Sequence, residues 1–208
     1  MLRERNFRRF YAGYVTSLFG TSMSTVALAF AVLDGGGSAA DLGYVFAAGV
    51  VPQVAFMLGG GVVADRIGRR PVMLAADLLR FAVQATLAVA LLTSAPPIWL
   101  FVLLEGLLGT GEAFFTPALT ALTPDIAPPA RLSDANALLG VAQSAARVTG
   151  PAAAGILVAV TMPGVVIALD AASYGASVLA LGLLRLSWRI YQEIYCDCAL
   201  AGWTDCAR

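Results

Sequence analysis

Apolar residues run through this chain in six long stretches, roughly 10–33, 41–64, 71–93, 97–118, 135–160 and 163–185. About 20 apolar residues suffice for a helix to cross a bilayer, so the pattern predicts six transmembrane helices. Polar residues and breakers separate them. The gaps read Asp34-Gly35-Gly36-Gly37-Ser38, a turn around Gly68, Thr93-Ser94-Ala95-Pro96-Pro97, Pro124-Asp125-Ile126-Ala127-Pro128-Pro129 and Met162-Pro163-Gly164. The runs are too long for barrel strands and lack two-residue alternation. The length of the first run, with five more behind it, argues against a cleavable signal peptide.

Composition agrees with a bilayer environment. Hydrophobic residues make up 59% of the 208 and charged residues 12%, against about 25% charged in soluble domains. Net charge is zero, which gives no footing for a nucleic-acid partner. Every one of the 13 basic residues is Arg, and His is absent. Without His the chain lacks the commonest general base and a favoured metal ligand. No cofactor or metal is expected, and an enzyme is not expected.

The arginines cluster at alternate ends of the runs. Arg3, Arg5, Arg8 and Arg9 precede span one; Arg66, Arg69 and Arg70 follow span two; Arg131 follows span four; Arg185 and Arg189 follow span six. Cytoplasmic loops carry the excess of basic residues, so both termini are expected in the cytoplasm. The Lys-free, Ala- and Gly-rich composition fits a GC-rich bacterial gene and a multi-pass protein of the inner membrane.

The stretch Gly61-Val62-Val63-Ala64-Asp65-Arg66-Ile67-Gly68-Arg69-Arg70 carries the most specific signal. A helix C-terminus presents unpaired carbonyls and partial negative charge, so Arg66, Arg69 and Arg70 suit the end of span two. Gly68 can take a positive φ and reverse the chain at once. Pro71 suits the first turn of span three. This stretch resembles the loop between spans two and three of major facilitator superfamily transporters, G-x-x-x-D-R-x-G-R-R/K. It matches at Gly61, Asp65, Arg66, Gly68, Arg69 and Arg70. The resemblance implies a cytoplasmic gate: Asp65 acting with Arg69 and with a helix end in a second half of the transporter.

Two further stretches bear on the branch. Gly150-Pro151-Ala152-Ala153-Ala154-Gly155 resembles the G-P-x-x-G-G element of drug/proton antiporters, with small residues allowing close helix packing and Pro151 expected to kink the helix. Ala113-Phe114-Phe115-Thr116-Pro117-Ala118, followed by Pro124, Leu132 and Ala135-Asn136-Ala137-Leu138, resembles the span four–five junction of the enterobactin- and macrolide-exporter branch. One departure stands out: Glu105, four before Gly109, lies near the place where many antiporters carry Arg in R-x-x-x-G. The resemblance covers about residues 6–186. It implies an all-α membrane fold of six helices, built as two inverted three-span repeats, which forms one half of a twelve-span transporter with its substrate site between the halves. The implied activity is proton-coupled export of small molecules by alternating access.

Ionisable residues inside spans are costly and therefore candidates for function. Asp77 and Arg80, three apart on span three, are expected to pair. Glu105 and Glu112, two turns apart on span four, form a carboxylate stripe flanking Gly109. Arg147, at mid-depth on span five, is expected to neutralise one of them. Glu112, Glu105 and Asp170 are the candidates for carrying a proton or contacting substrate, with Arg147 as tuning cation. A fixed Glu–Arg pair holding spans four and five together is the structural alternative.

The chain divides into an N-terminal cytoplasmic segment, 1–9, a transmembrane bundle, 10–186, and an atypical tail, 187–208. The tail crowds Trp188, Tyr191, Tyr195, Trp203, Cys196, Cys198 and Cys206 where a polar linker is expected. It reads as a frameshift or truncation; a deliberate fragment and a natural half-transporter are the other two readings. The expected partners are the lipid bilayer, a small-molecule substrate, protons, and either a missing C-terminal half or a second six-span chain. A non-transporting membrane scaffold is the rival function. A membrane enzyme fares worse, since the cysteines sit only in the tail. The substrate itself is not legible from one half.

Overall fold

The computed structural model describes residues 5–126 and 131–183; the tail, its cysteines and the arginines at 3, 185 and 189 lie outside the described residues. Six helices follow one another: α1 (Arg5–Asp34), α2 (Ala39–Ile67), α3 (Arg69–Thr93), α4 (Ile98–Ile126), α5 (Leu132–Val160) and α6 (Pro163–Gly182). Five are long and apolar enough to cross a membrane. The exception is α5, which carries Gln143, Ser144, Arg147 and Thr149 through its middle.

Local chemistry sets the joints. Ser38 caps α2: its Oγ accepts from Asp41 N at 3.2 Å, and Asp41 Oδ2 accepts from Ser38 N at 2.8 Å. That reciprocal pair satisfies two orphan donors of the first turn. Between α2 and α3 stands a single residue, Gly68, at φ +106°, a left-handed value that costs other residues a Cβ clash. Pro163 opens α6, where a missing N–H removes no helix bond. α5 runs through Pro151 as one helix.

The packing has a regular plan. α3 and α6 lie together at the back. α1 packs on α6 and α5, and α4 packs on α3 and α2. The α1 and α4 backbones stay apart, so α1–α5 and α4–α2 form two separate walls, joined at both ends by side chains of the apolar layers. Two apolar layers close the bundle. One, towards the α2–α3 turn, contains Phe10, Met73, Phe115, Leu122 and Leu181. The other, towards the far ends, contains Leu28, Val45, Leu87, Phe101 and Ile167. Between them lie Ser24, Asp77, Arg80, Gln84, Asp170, Ser173 and Ser177, all buried.

Lipid tails are as apolar as leucine, so close backbone packing replaces the hydrophobic drive for helix association. The α2–α4 contact relies on it most. A Cβ on Gly109 would fall on the Gly49 carbonyl, and one on Gly60 would fall on the Ala113 carbonyl. A groove of about 910 Å³ on the outer side of this pair is walled by Tyr44, Val51, Phe56, Trp99, Leu103 and Leu107. Its lining is mostly aliphatic and aromatic, with Asp41 and Thr110 the polar exceptions, and includes none of the buried polar residues.

Candidate functional site

Two sets of residues stand out, one at the α2–α3 turn and one at mid-depth. At the turn, Arg69 Nη1 donates to the Ala121 carbonyl of α4 at 2.6 Å. Arg70 Nε and Nη2 donate to the Leu181 and Gly182 carbonyls of α6 at 3.0 and 2.8 Å. Arg9 Nη1 reaches the Leu183 carbonyl at 3.4 Å. The expectation that all three arginines serve the end of α2 is thus corrected. Because one residue reverses the chain, Arg69 and Arg70 belong to the first turn of α3 and face the C-terminal carbonyls of its neighbours. Cations there also complement the helix dipoles. Asp65 and Arg66 are exposed on the surface. Gly61 has only ordinary contact space towards Pro117, whereas its neighbour Gly60 makes the close approach to α4.

Arg70→Ala removes two charge-assisted hydrogen bonds that tie α3 to α6. The expected loss, about 1–3 kcal/mol for bonds partly open to solvent, is read as a lower thermal midpoint in detergent. Arg70→Lys should recover only part of it, because a point charge cannot replace the forked donor.

At mid-depth the polar layer is organised around Arg80. Its Nη1 lies 3.3 Å from Asp77 Oδ1, and its Nη2 lies 2.7 Å from Glu112 Oε2. The second contact is an ion pair off the line of a hydrogen bond, and Nε makes none among the described residues. The guanidinium lies over the Phe115 ring at 4.2 Å and 5.5 Å from the Tyr174 ring centroid, a favourable site for a cation withdrawn from water. Ser177 Oγ donates to Asp77 Oδ2 at 2.6 Å, and Thr116 Oγ1 donates to Glu112 Oε1 at 2.8 Å. Asp77 is fully enclosed, but the Glu112 side chain is 36% exposed.

The expected Asp77–Arg80 pair is therefore present, and Arg80 also holds Glu112. Arg147 does not: it is exposed on α5, a helix that packs on α1 and hardly meets α4. The fixed pair joining spans four and five is corrected for the same reason; the Glu–Arg pair joins α4 to α3. Glu105 is half-buried beside Gly49 and has no salt bridge among the described residues. Asp170 is fully buried on α6. Gln84 Nε2 donates to its Oδ2 at 2.6 Å and to Ser24 Oγ at 2.9 Å, and Ser173 Oγ donates to the Asp170 carbonyl at 2.7 Å. Of the span-five small residues, Gly150 is pressed against Ser22 of α1, while Gly155 faces open space.

Several of these residues escaped the sequence reading, yet their spacing carries a signal. Asp77, Arg80 and Gln84 stand at helical intervals on one face of α3. Asp170, Ser173, Tyr174 and Ser177 do the same on α6, as Ser17, Thr21 and Ser24 do on α1. Three polar stripes meeting at one depth build the layer; Thr21 Oγ1 and Tyr174 Oη meet there at 2.8 Å.

The chain was compared with known proteins. The family described as transmembrane secretion effector matches residues 1–195. Macrolide efflux protein A of Streptococcus pyogenes is 28% identical over 180 residues, 86% of this chain and 44% of that protein. The multidrug efflux pump Tap of Mycolicibacterium fortuitum is 33% identical over 180 residues, 83% of this chain and 43% of that pump. Macrolide efflux protein A of Enterococcus faecalis is 31% identical over 122 residues, 59% of this chain and 38% of that protein. The chain spans less than half the length of these curated relatives. With apolar helices of membrane length and a family match along nearly all its residues, the chain belongs to the transmembrane secretion effector family of major facilitator transporters.

Proposed function

We propose that this chain forms the N-terminal six-span half of a proton-coupled exporter of small amphipathic drugs. One observation carries the reading. Glu112 pairs with the buried Arg80 yet keeps 36% of its side chain exposed, so the group that can bind a proton is reachable while its partner is not. Glu112 is the proton-carrying group on this reading, ahead of Glu105 and the enclosed Asp170. Protonation removes the charge that Arg80 holds and frees α4 from α3 at mid-depth. The cargo occupies the space between the α1–α5 and α4–α2 walls, closed on its far side by a second six-span half.

The packing plan supports alternating access. Exchanging α1 with α4, α2 with α5 and α3 with α6 maps the observed helix pairs onto themselves, as two inverted three-span repeats require. On this reading α5 also crosses the membrane and completes the set of six spans, the termini lie in the cytoplasm of a bacterial cell, and Asp65 with Arg66 contacts the second half. Arg69 and Arg70 hold the cytoplasmic ends of α4 and α6 while the halves rock.

The test is Glu112→Gln. Vesicles carrying the assembled transporter would be given a macrolide, the compound class in the names of two relatives, under an imposed pH gradient. Wild-type transport should rise with the gradient and the variant's should not. Equal gradient dependence in the two would remove Glu112 from coupling.

A further inference from the structure

The back of the bundle carries an apolar ridge that ends in a pair of arginines. On α6 the exposed residues Val165, Leu169, Ala172, Ala176, Leu179 and Leu183 recur every three or four positions, the spacing of one helix face. The buried face of α6 carries Asp170, Ser173, Tyr174 and Ser177, so the ridge points away from the polar layer. Lipid tails match such a surface.

Two guanidiniums converge where the ridge ends. Gly13 of α1 lies so close to α6 that a Cβ there would come within 2.7 Å of the Ala180 Cβ. That approach sets Arg9, one helical turn earlier, beside the end of α6, where its Nη1 reaches the Leu183 carbonyl. Gly68 sets Arg70 on the first turn of α3, where its Nε and Nη2 hold the Leu181 and Gly182 carbonyls. Successive carbonyls of one helix end therefore carry two guanidiniums side by side. No acidic residue among the described ones forms a salt bridge with either. Arg9 keeps Nε and Nη2, and Arg70 keeps Nη1, without a described partner, and none of these atoms is buried. Two like charges this close repel, and an anion between them relieves the repulsion.

We infer that Arg9 and Arg70 clamp the phosphate of an anionic glycerophospholipid whose acyl chains lie along the α6 ridge. The planar fork of a guanidinium presents paired donors that match phosphate oxygens. The apolar ridge beside the cations favours a lipid over a free phosphate. With no described acidic side chain at the clamp to receive an ammonium, a headgroup without one, such as phosphatidylglycerol, fits best. Neither transport nor a second half is required, so the chain of 208 residues is tested as it stands.

The chain is reconstituted into vesicles of phosphatidylcholine with a minority of phosphatidylglycerol. A photoreactive benzoylphenylalanine is placed at Leu183, exposed beside the clamp, or at Val165, at the far end of the same ridge. After irradiation the ratio of the two lipids crosslinked is compared with their ratio in the vesicle. Phosphatidylglycerol should be enriched at 183 and present at the bulk ratio at 165. Arg9→Gln loses one exposed bond of 3.4 Å, so the fold stands, yet enrichment should fall about three- to fivefold, the scale of one cation at a charged membrane surface. Arg9→Lys should keep most of it. Arg131→Gln, which removes an equal charge from the exposed start of α5, should leave it unchanged. Exchanging chloride for inorganic phosphate at constant ionic strength should also leave it unchanged.

Equal enrichment in wild type and Arg9→Gln, or an equal fall in Arg131→Gln, would overturn the clamp in favour of general surface charge. Loss of enrichment in phosphate would overturn the lipid and assign the arginines to a soluble anion. A bulk ratio at 183 in the wild type would overturn both the clamp and its ligand.

Discussion

Arg80→Met should be the most damaging single substitution in the bundle. Asp77 is completely enclosed, and Arg80 is the cation that compensates it. Breaking a buried pair by removing one member costs about 3–5 kcal/mol, because the remaining charge has neither water nor a partner. Glu112 suffers less, since part of its side chain is exposed. The asymmetry makes a sharper test. Adding Asp77→Asn to Arg80→Met removes the stranded charge and should recover much of the loss, while adding Glu112→Gln should recover little. Yield of membrane-inserted protein and thermal midpoint in detergent give the comparison. If neither second substitution rescues, the damage comes from lost packing of the guanidinium against Phe115 and Tyr174.

Gly109→Val should be the second. The first atom of any side chain at 109 would coincide with the Gly49 carbonyl, so α4 and α2 must separate. Overpacking elsewhere costs about 1–3 kcal/mol, and here a backbone group stands in the way, with no flexible side chain to yield. α2 has no other extensive neighbour, and its outer residues, such as Leu58 at 87% exposure, offer nothing else to hold it. Disulfide trapping between cysteines placed at Ala48 and Gly106, neighbours along the α2–α4 line, should therefore fall sharply in the Val variant. Gly59→Ala serves as the control. It meets nothing within 4 Å and improves helix propensity by about 1 kcal/mol, so trapping should persist.

The two substitutions mark different kinds of legibility. Arg80 was visible in the sequence as one of the few charges inside an apolar run, and its pairing with Asp77 followed from their spacing alone. Its contact with Glu112 did not. Thirty-two residues separate the two, and Arg147 stood at a comparable depth as a rival. The choice was made by packing: α4 lies on α3, and α5 lies on α1. Gly109 was noted as a small residue between two carboxylates, but that it must be small because a second glycine's carbonyl touches it is a fact about two helices.

The turn at 61–70 shows the same division. Gly68 was expected to reverse the chain, and it does so at φ +106°. The arginines after it were assigned to the nearest helix end, the only one that local sequence can identify. Their carbonyl partners at Ala121, Leu181 and Gly182 lie 52, 111 and 112 residues away. Helix limits differ from the apolar runs for a related reason. α1 begins at Arg5 and α4 continues to Ile126, because backbone hydrogen bonds carry a helix beyond the hydrocarbon into polar residues.

By itself the sequence determined the membrane class, the number and order of the helices, most of the joints between them and the family; the break expected from Pro124 onward begins inside α4. These follow from local chemistry: apolar length sets what can enter a bilayer, and caps and glycines mark where a helix stops, while Pro52, Pro117, Pro124 and Pro151 stand inside helices. The tertiary structure alone decided which charges meet. In a bilayer the apolar faces of helices are nearly interchangeable, so neighbours are chosen by backbone approach and polar contact between residues far apart in the chain. That choice put Arg80 between Asp77 and Glu112, carried Arg69 and Arg70 to α4 and α6, and left Arg147 exposed on α5.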